Sequence, residues 1–307
     1  MKTLSTLYAD WHYALAIAGY RIAASGIIPA AWVLPHSVVP EERAARRGGL
    51  DVEIVSHCWN YSHFLAYQLS SLINYPPTKA NITMTVYYNQ DDAKTTQLLE
   101  FFNRQTASRV QWNFQALEKP SLFRRSIGRN RAALATRADW IWFTDCDLMF
   151  HEYCLDSLAD ELQGRRDILV YPDHERVTGL LPKDSEILQA SSNNVDVYDI
   201  DTSRFSERPI SKATGPLQIV HGDVARSMGY CRDIAVYQQP AEHWCKAHED
   251  RAFRWILGTT GRPIKVPGVY RIRHIDKGRY KQASRLAVIR GTLRRMQSWY
   301  RDLKYKL

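Results

Sequence analysis

Ser126-Ile127-Gly128-Arg129-Asn130-Arg131-Ala132-Ala133-Leu134-Ala135-Thr136-Arg137-Ala138-Asp139-Trp140-Ile141-Trp142-Phe143-Thr144-Asp145-Cys146-Asp147-Leu148-Met149-Phe150 is the stretch whose reading decides the fold. It runs as a basic loop, a short helix, a buried strand and two aspartates one residue apart. Asp145 and Asp147 directly follow the apolar run Trp140–Phe143. Two carboxylates at the end of a buried strand are costly to place without a partner. A hard divalent cation is one such partner, because it takes oxygen ligands and can hold a phosphate as well.

Working outward, strands alternate with helices from Leu50 onward. Val52–Val55 reads as a strand, and the polar turn His57-Cys58-Trp59-Asn60 comes next. A helix then places Phe64, Leu65, Leu69, Leu72 and Ile73 on one face, and Pro76-Pro77 stops it. Ile82, Met84, Val86 and Tyr88 alternate as a second strand. Asn89-Gln90-Asp91-Asp92 caps a helix that buries Leu98, Leu99, Phe101 and Phe102. Val110, Trp112 and Phe114 form a third strand, and Trp140–Phe143 a fourth.

Further strands are expected at Ile168–Tyr171 and Leu217–Val220, with residues 173–216 polar and irregular between them, and Ile264–Ile272 reads as extended. The alternation implies an α/β fold with a mostly parallel, doubly wound central sheet flanked by helices. Ligands of such sheets bind beyond the carboxyl ends of the strands. Residues 57–60, 89–92 and 145–147 all fall there.

Composition bounds the partners. An apolar fraction of 45% and a charged fraction of 24% are ordinary for a globular protein. The net charge of +9 is uneven: residues 262–307 hold 14 Lys/Arg against 2 Asp/Glu, a net +12, which leaves the rest at −3. A polyanionic partner is therefore expected at the C-terminal end. Residues 281–306 read as a basic amphipathic helix suited to an anionic membrane surface. Binding of nucleic acid through this tail would leave the carboxylates of the body without a purpose, so no nucleic-acid partner is expected.

Five cysteines without short-loop spacing argue against a disulfide framework and for a reducing compartment. His243, Cys245 and His248 lack the paired knuckle of a zinc site. The segment Trp11–Tyr20 is uncharged, but Arg21 ends it and three prolines break the next twenty residues, so a helix packed on the domain is expected rather than a span. The location expected is cytoplasmic, with peripheral contact at the inner face of the plasma membrane.

Residues 51–275 resemble the GT-A glycosyltransferases, most closely the family-two type. Val52–Asn60 is similar to the family's first strand and its turn, with Trp59 in the tyrosine place. Gly128-Arg129-Asn130 followed by a helix and Asp145-Cys146-Asp147 is similar to the arginine-asparagine block leading to the DxD motif. His248-Glu249-Asp250 resembles the ED motif at the head of the acceptor-side helix, although spacing alone suits an ordinary helix N-terminus equally.

The resemblance implies a nucleotide-sugar donor, a UDP-sugar first, with Mn²⁺ or Mg²⁺. The acceptor implied is a hydroxyl of a glycan or lipid-linked molecule. Asp147 would bind metal directly, with Asp145 on the ribose or on the metal through water, and His274 as a third ligand. His57, Trp59, Asn89, Asp91, Arg129 and Asn130 would line the nucleotide site. Asp250 would be the general base of an inverting transfer, with Glu249 orienting the acceptor. Residues 51–150 would form the nucleotide-sugar half and 151–275 the acceptor half. Residues 1–50 and 276–307 would be helical extensions. A nucleotide-sugar-binding protein without transferase activity is the alternative on the same fold.

Overall fold

The computed structural model describes residues 11, 15–20, 22–32, 40–182, 184–242 and 247–274. The chain after Leu50 runs through β1 (Leu50–His57), α1 (Ser62–Asn74), β2 (Ala80–Tyr88), α2 (Ala93–Asn103) and β3 (Val110–Ala116). Two helices, α3 (Lys119–Phe123) and α4 (Arg125–Ala135), lead into β4 (Trp140–Phe143) and the short β5 (Leu148–Phe150). Then come α5 (Cys154–Leu162), β6 (Leu169–Pro172), β7 (His174–Thr178), α6 (Glu186–Asn193), β8 (Phe205–Pro209) and β9 (Gln218–His221). The described chain closes with α7 (Gly222–Met228), α8 (Ala235–Gln238), α9 (Glu249–Ile256), β10 (Arg262–Ile264) and β11 (Val269–Arg271).

Seven strands form the central sheet in the order β10-β6-β9-β4-β1-β2-β3. β1 pairs in parallel with β2 and β4, β2 with β3, and β6 with β10. β9 alone runs antiparallel, between β4 and β6. The expected mostly parallel α/β sheet is what forms. Its inner strands are apolar on both faces because helices cover both, and all four residues of β4 are buried. One core layer lies under α1, α2 and α5, around Phe64, Leu69 and Leu158. The other lies under α4, α7 and α9, around Ala133, Val224 and Phe253. Burying each of Trp142 and Phe143 contributes roughly 1.5–3 kcal/mol.

Residues 173–216 correct the expectation of an irregular stretch. They contain β7, α6 and β8, and β7 and β8 join β5 and β11 in a second sheet of order β5-β11-β7-β8. β7 is half exposed, with His174 and Arg176 outward and Glu175 and Val177 inward. Its alternation therefore carries charge in place of apolar residues. Glu175 is fully buried and receives Arg271 Nη2 at 2.5 Å and Arg208 as well. One carboxylate thus binds β7 to both of its neighbours, β8 and β11.

The described part of the N-terminal segment packs on α9, as the packed-helix reading expects. Arg251 Nε donates to the Ala24 carbonyl at 3.1 Å, and Trp255 Nε1 to that of Ile28 at 2.6 Å. No helix among the described residues is long and apolar enough to cross a membrane. Among the described residues, Cys58, Cys146, Cys154 and Cys231 are buried free thiols. The basic helix expected at 281–306, and His243 and Cys245, lie outside the described residues.

Gly222 sits where β9 turns into α7 and touches the start of β4. Its amide donates to Asp139 O at 2.7 Å, and an added Cβ would stand 2.2 Å from the Ala138 carbonyl oxygen. Gly222→Ala is expected to cost about 1–3 kcal/mol through this backbone clash. Thermal unfolding should show a midpoint lower by several degrees; an unchanged midpoint would refute the close approach.

Candidate functional site

The site is built at the carboxyl ends of β1, β2 and β4. β4 ends at Phe143, and Thr144 N still donates to Val55 O at 2.9 Å, so the chain leaves the sheet in register with β1. The turn Asp145-Cys146-Asp147 is then held from two sides. Buried Gln68 of α1 donates Nε2 to Asp145 O at 3.0 Å and to Leu148 O at 2.9 Å. Ile272 N donates to Asp147 O at 2.9 Å, which ties the turn to the segment after β11. Cys146 points into the core. Asp145 and Asp147 stay partly exposed on a backbone that has little freedom.

Two arginines of α4 meet Asp145. Arg125 forms a close ion pair with its Oδ1, and Arg129 Nη2 lies 3.4 Å from the same oxygen. The two differ in burial: Arg125 and Asp145 are each 27% exposed, Arg129 only 1%. Burial opposes the Arg125 charge, but Asp145 and Glu249 more than offset it and raise its pKa. Arg125 thus feels carboxylates from both the β4 turn and α9.

Arg129 Nη1 donates to Tyr230 Oη at 2.9 Å, and Nη2 to Thr144 O at 3.2 Å. Its guanidinium lies over the Tyr230 ring. The expectation that Arg129 faces phosphate is therefore corrected: Arg125, four residues earlier on the same helix face, is the solvent-reaching arginine. Asn130 is turned away as well, its Oδ1 accepting Tyr230 N at 2.9 Å.

His57 lies beneath α4. Its ring packs on Tyr87 at 5.2 Å, and among the described residues neither ring nitrogen has a hydrogen-bond partner. Burial, then the charges of Arg129 and Arg125, push its pKa well below the usual value, so the ring is neutral. A Cβ on Gly128 would fall 2.2 Å from His57 Nε2, so only glycine lets α4 settle there.

Trp59 is half-buried, edge-on to Phe123 at 5.9 Å, with Lys119 Nζ 4.4 Å from its ring. Asn89 spends both ends of its amide on the turn, donating to Leu117 O at 2.8 Å and accepting Asp91 N at 3.1 Å. That corrects its expected role toward base or ribose. Asp91 is exposed. Asp92, expected only to cap α2, also joins the two turns: it accepts Asn60 N at 2.6 Å and Thr95 Oγ1 at 2.6 Å.

Across the cleft, α9 starts at Glu249. Glu249 is buried with Arg124 Nη1 at 4.0 Å, and Asp250 is 35% exposed with Arg254 Nη1 at 3.3 Å. Gly215 lies beside Asp250, where a Cβ would make ordinary contact with Asp250 Cβ at 3.7 Å.

His274 packs on Phe64 at 4.3 Å and Tyr61 at 5.5 Å. Among the described residues no three His, Cys, Asp or Glu side chains converge as a ligand group. The expected trio Asp145, Asp147 and His274 is thus not assembled as such, because Asp145 is held by arginine. Asp147 and His274 still lie on segments joined by the Ile272–Asp147 hydrogen bond.

A mostly parallel sheet with a DxD turn on one side of the cleft and an acidic helix start on the other is the layout of the GT-A glycosyltransferase fold. The chain belongs to Glycosyl transferase family 2, whose profile matches residues 54–211, just over half of the 307 residues. Three solved structures of S. aureus TarS residues 1–349 are similar in fold. The first covers 73% of this chain and 58% of that one at 15% identity and a TM-score of 0.39. The complex with UDP-GlcNAc covers 76% and 61% at 13% and 0.44, and the complex with UDP 73% and 60% at 14% and 0.44. The chain spans about 60% of the length of these structures. No curated protein matches it.

His63, at the start of α1 beside this site, has its pKa pushed down to about 4, by burial first and then by Lys94. The folded value lies below the ordinary 6.5, so the unfolded chain takes up the proton first as pH falls. Stability from this neutral ring is intact above about 6.5 and is lost progressively toward about 4. Urea midpoints should fall across that window, and His63→Asn should make the fall shallower. An equal slope in the variant would remove His63 from the account.

Proposed function

We propose that this chain transfers a glycosyl group from a nucleoside-diphosphate sugar, a UDP-sugar first, to a hydroxyl of a glycan or lipid-linked acceptor, with inversion at the anomeric carbon. The observation that carries the reading is the position of Arg125. It pairs with Asp145 of the DxD turn and is acted on by Glu249 of α9, so a single guanidinium stands between the carboxylates of the β4 turn and those of α9. UDP-GlcNAc and UDP, the ligands of the TarS complexes, are the first probes to try.

In this mechanism Asp250 takes the proton of the acceptor hydroxyl, which it must reach within hydrogen-bond distance. The hydroxyl oxygen bonds to the anomeric carbon as the bond from that carbon to the diphosphate oxygen breaks. The leaving group departs with the electron pair, and Arg125 is the guanidinium placed to follow its charge. Arg254 orients Asp250 from one turn along the helix. Asp147 and His274 would hold a divalent cation, which supplies further charge neutralisation to the diphosphate. Trp59 and Asp91 remain the residues proposed to border the nucleotide, whereas His57, buried beneath α4, lies too deep for that expected role. Arg129, Asn130 and Asn89 instead build the walls. Residues 51–275 are proposed as the catalytic domain, its product a cell-surface glycan.

Asp250→Asn is expected to lower transfer by about 10²–10⁴-fold. UDP binding, read as a ligand-induced rise in unfolding temperature, should change less than about twofold. Near-normal turnover in the variant would refute the assignment of the base.

Contact with an anionic membrane is supported by two features. One is the basic run at 281–307; the other is a set of exposed apolar side chains near the N-terminus, Trp11, Leu15, Ile22, Ile28 and Trp32. Flotation with anionic vesicles should recover the intact chain, and removal of 281–307 should reduce recovery severalfold. Equal recovery would rule out that segment as the anchor.

A further inference from the structure

A line of buried hydrogen bonds joins the two halves of the cleft. Arg129 Nη2 lies 3.4 Å from Asp145 Oδ1, and its Nη1 donates to Tyr230 Oη at 2.9 Å. A guanidinium only donates, so the Tyr230 hydroxyl accepts there and donates its own proton onward. It does so to Gln218 Oε1 at 2.9 Å, and Gln218 Nε2 donates to the main-chain oxygen of Asp250 at 3.1 Å. Each link sets the direction of the next, from the DxD carboxylate to the first turn of α9.

Arg129, Tyr230 and Gln218 are all fully buried, so no bulk water replaces a lost link. The Tyr230 ring also spans the same gap by packing. It stacks on Phe253 of α9 at 4.1 Å and 28° and meets Phe143 of β4 edge-on at 4.8 Å.

We infer that Tyr230 and Gln218 are positioning residues that set the separation between the Asp145 carboxylate and the Asp250 base. This rests on the transfer reading above. Neither side chain reaches the cleft, so neither touches substrate. Their effect is on the alignment of donor and acceptor, where a displacement of about 1 Å can cost on the order of 10²-fold in rate. Asp145 keeps its ion pair with Arg125 when either residue is replaced, so donor binding should change little.

The test compares the wild type with Tyr230→Phe, Gln218→Met and the double variant. Tyr230→Phe keeps both ring contacts and removes only the hydroxyl; Gln218→Met keeps the length of the side chain and removes the amide. UDP binding is measured by calorimetry, and turnover by UDP release from a UDP-sugar panel with and without acceptor. Each single variant should lower kcat for transfer by about 10-fold or more. The Kd for UDP and the slow donor hydrolysis without acceptor should stay within about twofold. The double variant should be no slower than the slower single variant, because one broken link already uncouples the line.

A purely structural role would instead lower hydrolysis, binding stoichiometry and transfer together. That outcome, a kcat unchanged in both single variants, or losses that multiply in the double variant would each overturn the inference. If Tyr230→Phe fails to fold, Gln218→Met decides by the same readings. A wild-type chain that neither binds UDP nor releases it from any UDP-sugar overturns the transfer reading, and this inference with it.

Discussion

The ion pairing of Asp145 governs the arrangement around it. A carboxylate at the end of an all-apolar strand has to be compensated, and here α4 supplies the charge. That choice determines which way α4 lies, with Arg125 toward the cleft and Arg129 beneath it. It brings Gly128 down onto His57, and it places the turn where Gln68 and Ile272 can hold its backbone. Without a positive helix face at this point, the aspartate would have to turn outward and the two sides of the cleft would lose their common edge.

The charges are graded by depth. Arg129 is sealed in and serves the frame, whereas Arg125 and Asp250 are partly solvated. Both belong to salt bridges whose partners lie close by, so each is held in one orientation, as the proposed transfer requires. Preorganised charge of this kind is the main means by which a protein lowers the barrier to a step that builds charge on a leaving group.

Much of the architecture is legible in the sequence because fully buried strands are long apolar runs and caps have a fixed chemistry. Trp140–Phe143 and the Asp92 cap are examples. β7 and β8 are not legible, since a half-exposed strand such as His174–Thr178 shows charges where a buried one shows valines. At the site, the order of the motifs can be read, but the depth of each residue cannot. Arg125 and Arg129 sit one helical turn apart and look alike in sequence. Which of them reaches solvent is decided by Tyr230, about a hundred residues away. Asn89 reads as a ligand-facing amide, but both of its ends close a local turn. The packing of His57 depends on a glycine 71 residues later.

Glu175 has a consequence for how the two sheets respond to their surroundings. Surface pairs such as Lys79–Asp160, each half exposed, weaken as dissolved ions screen them. The Glu175 carboxylate is sealed between Arg208 and Arg271 and is shielded from those ions. Brine therefore loosens the rim of the molecule while its second sheet keeps its fastening, and the segment leading from β11 to His274 is anchored to the part that salt affects least.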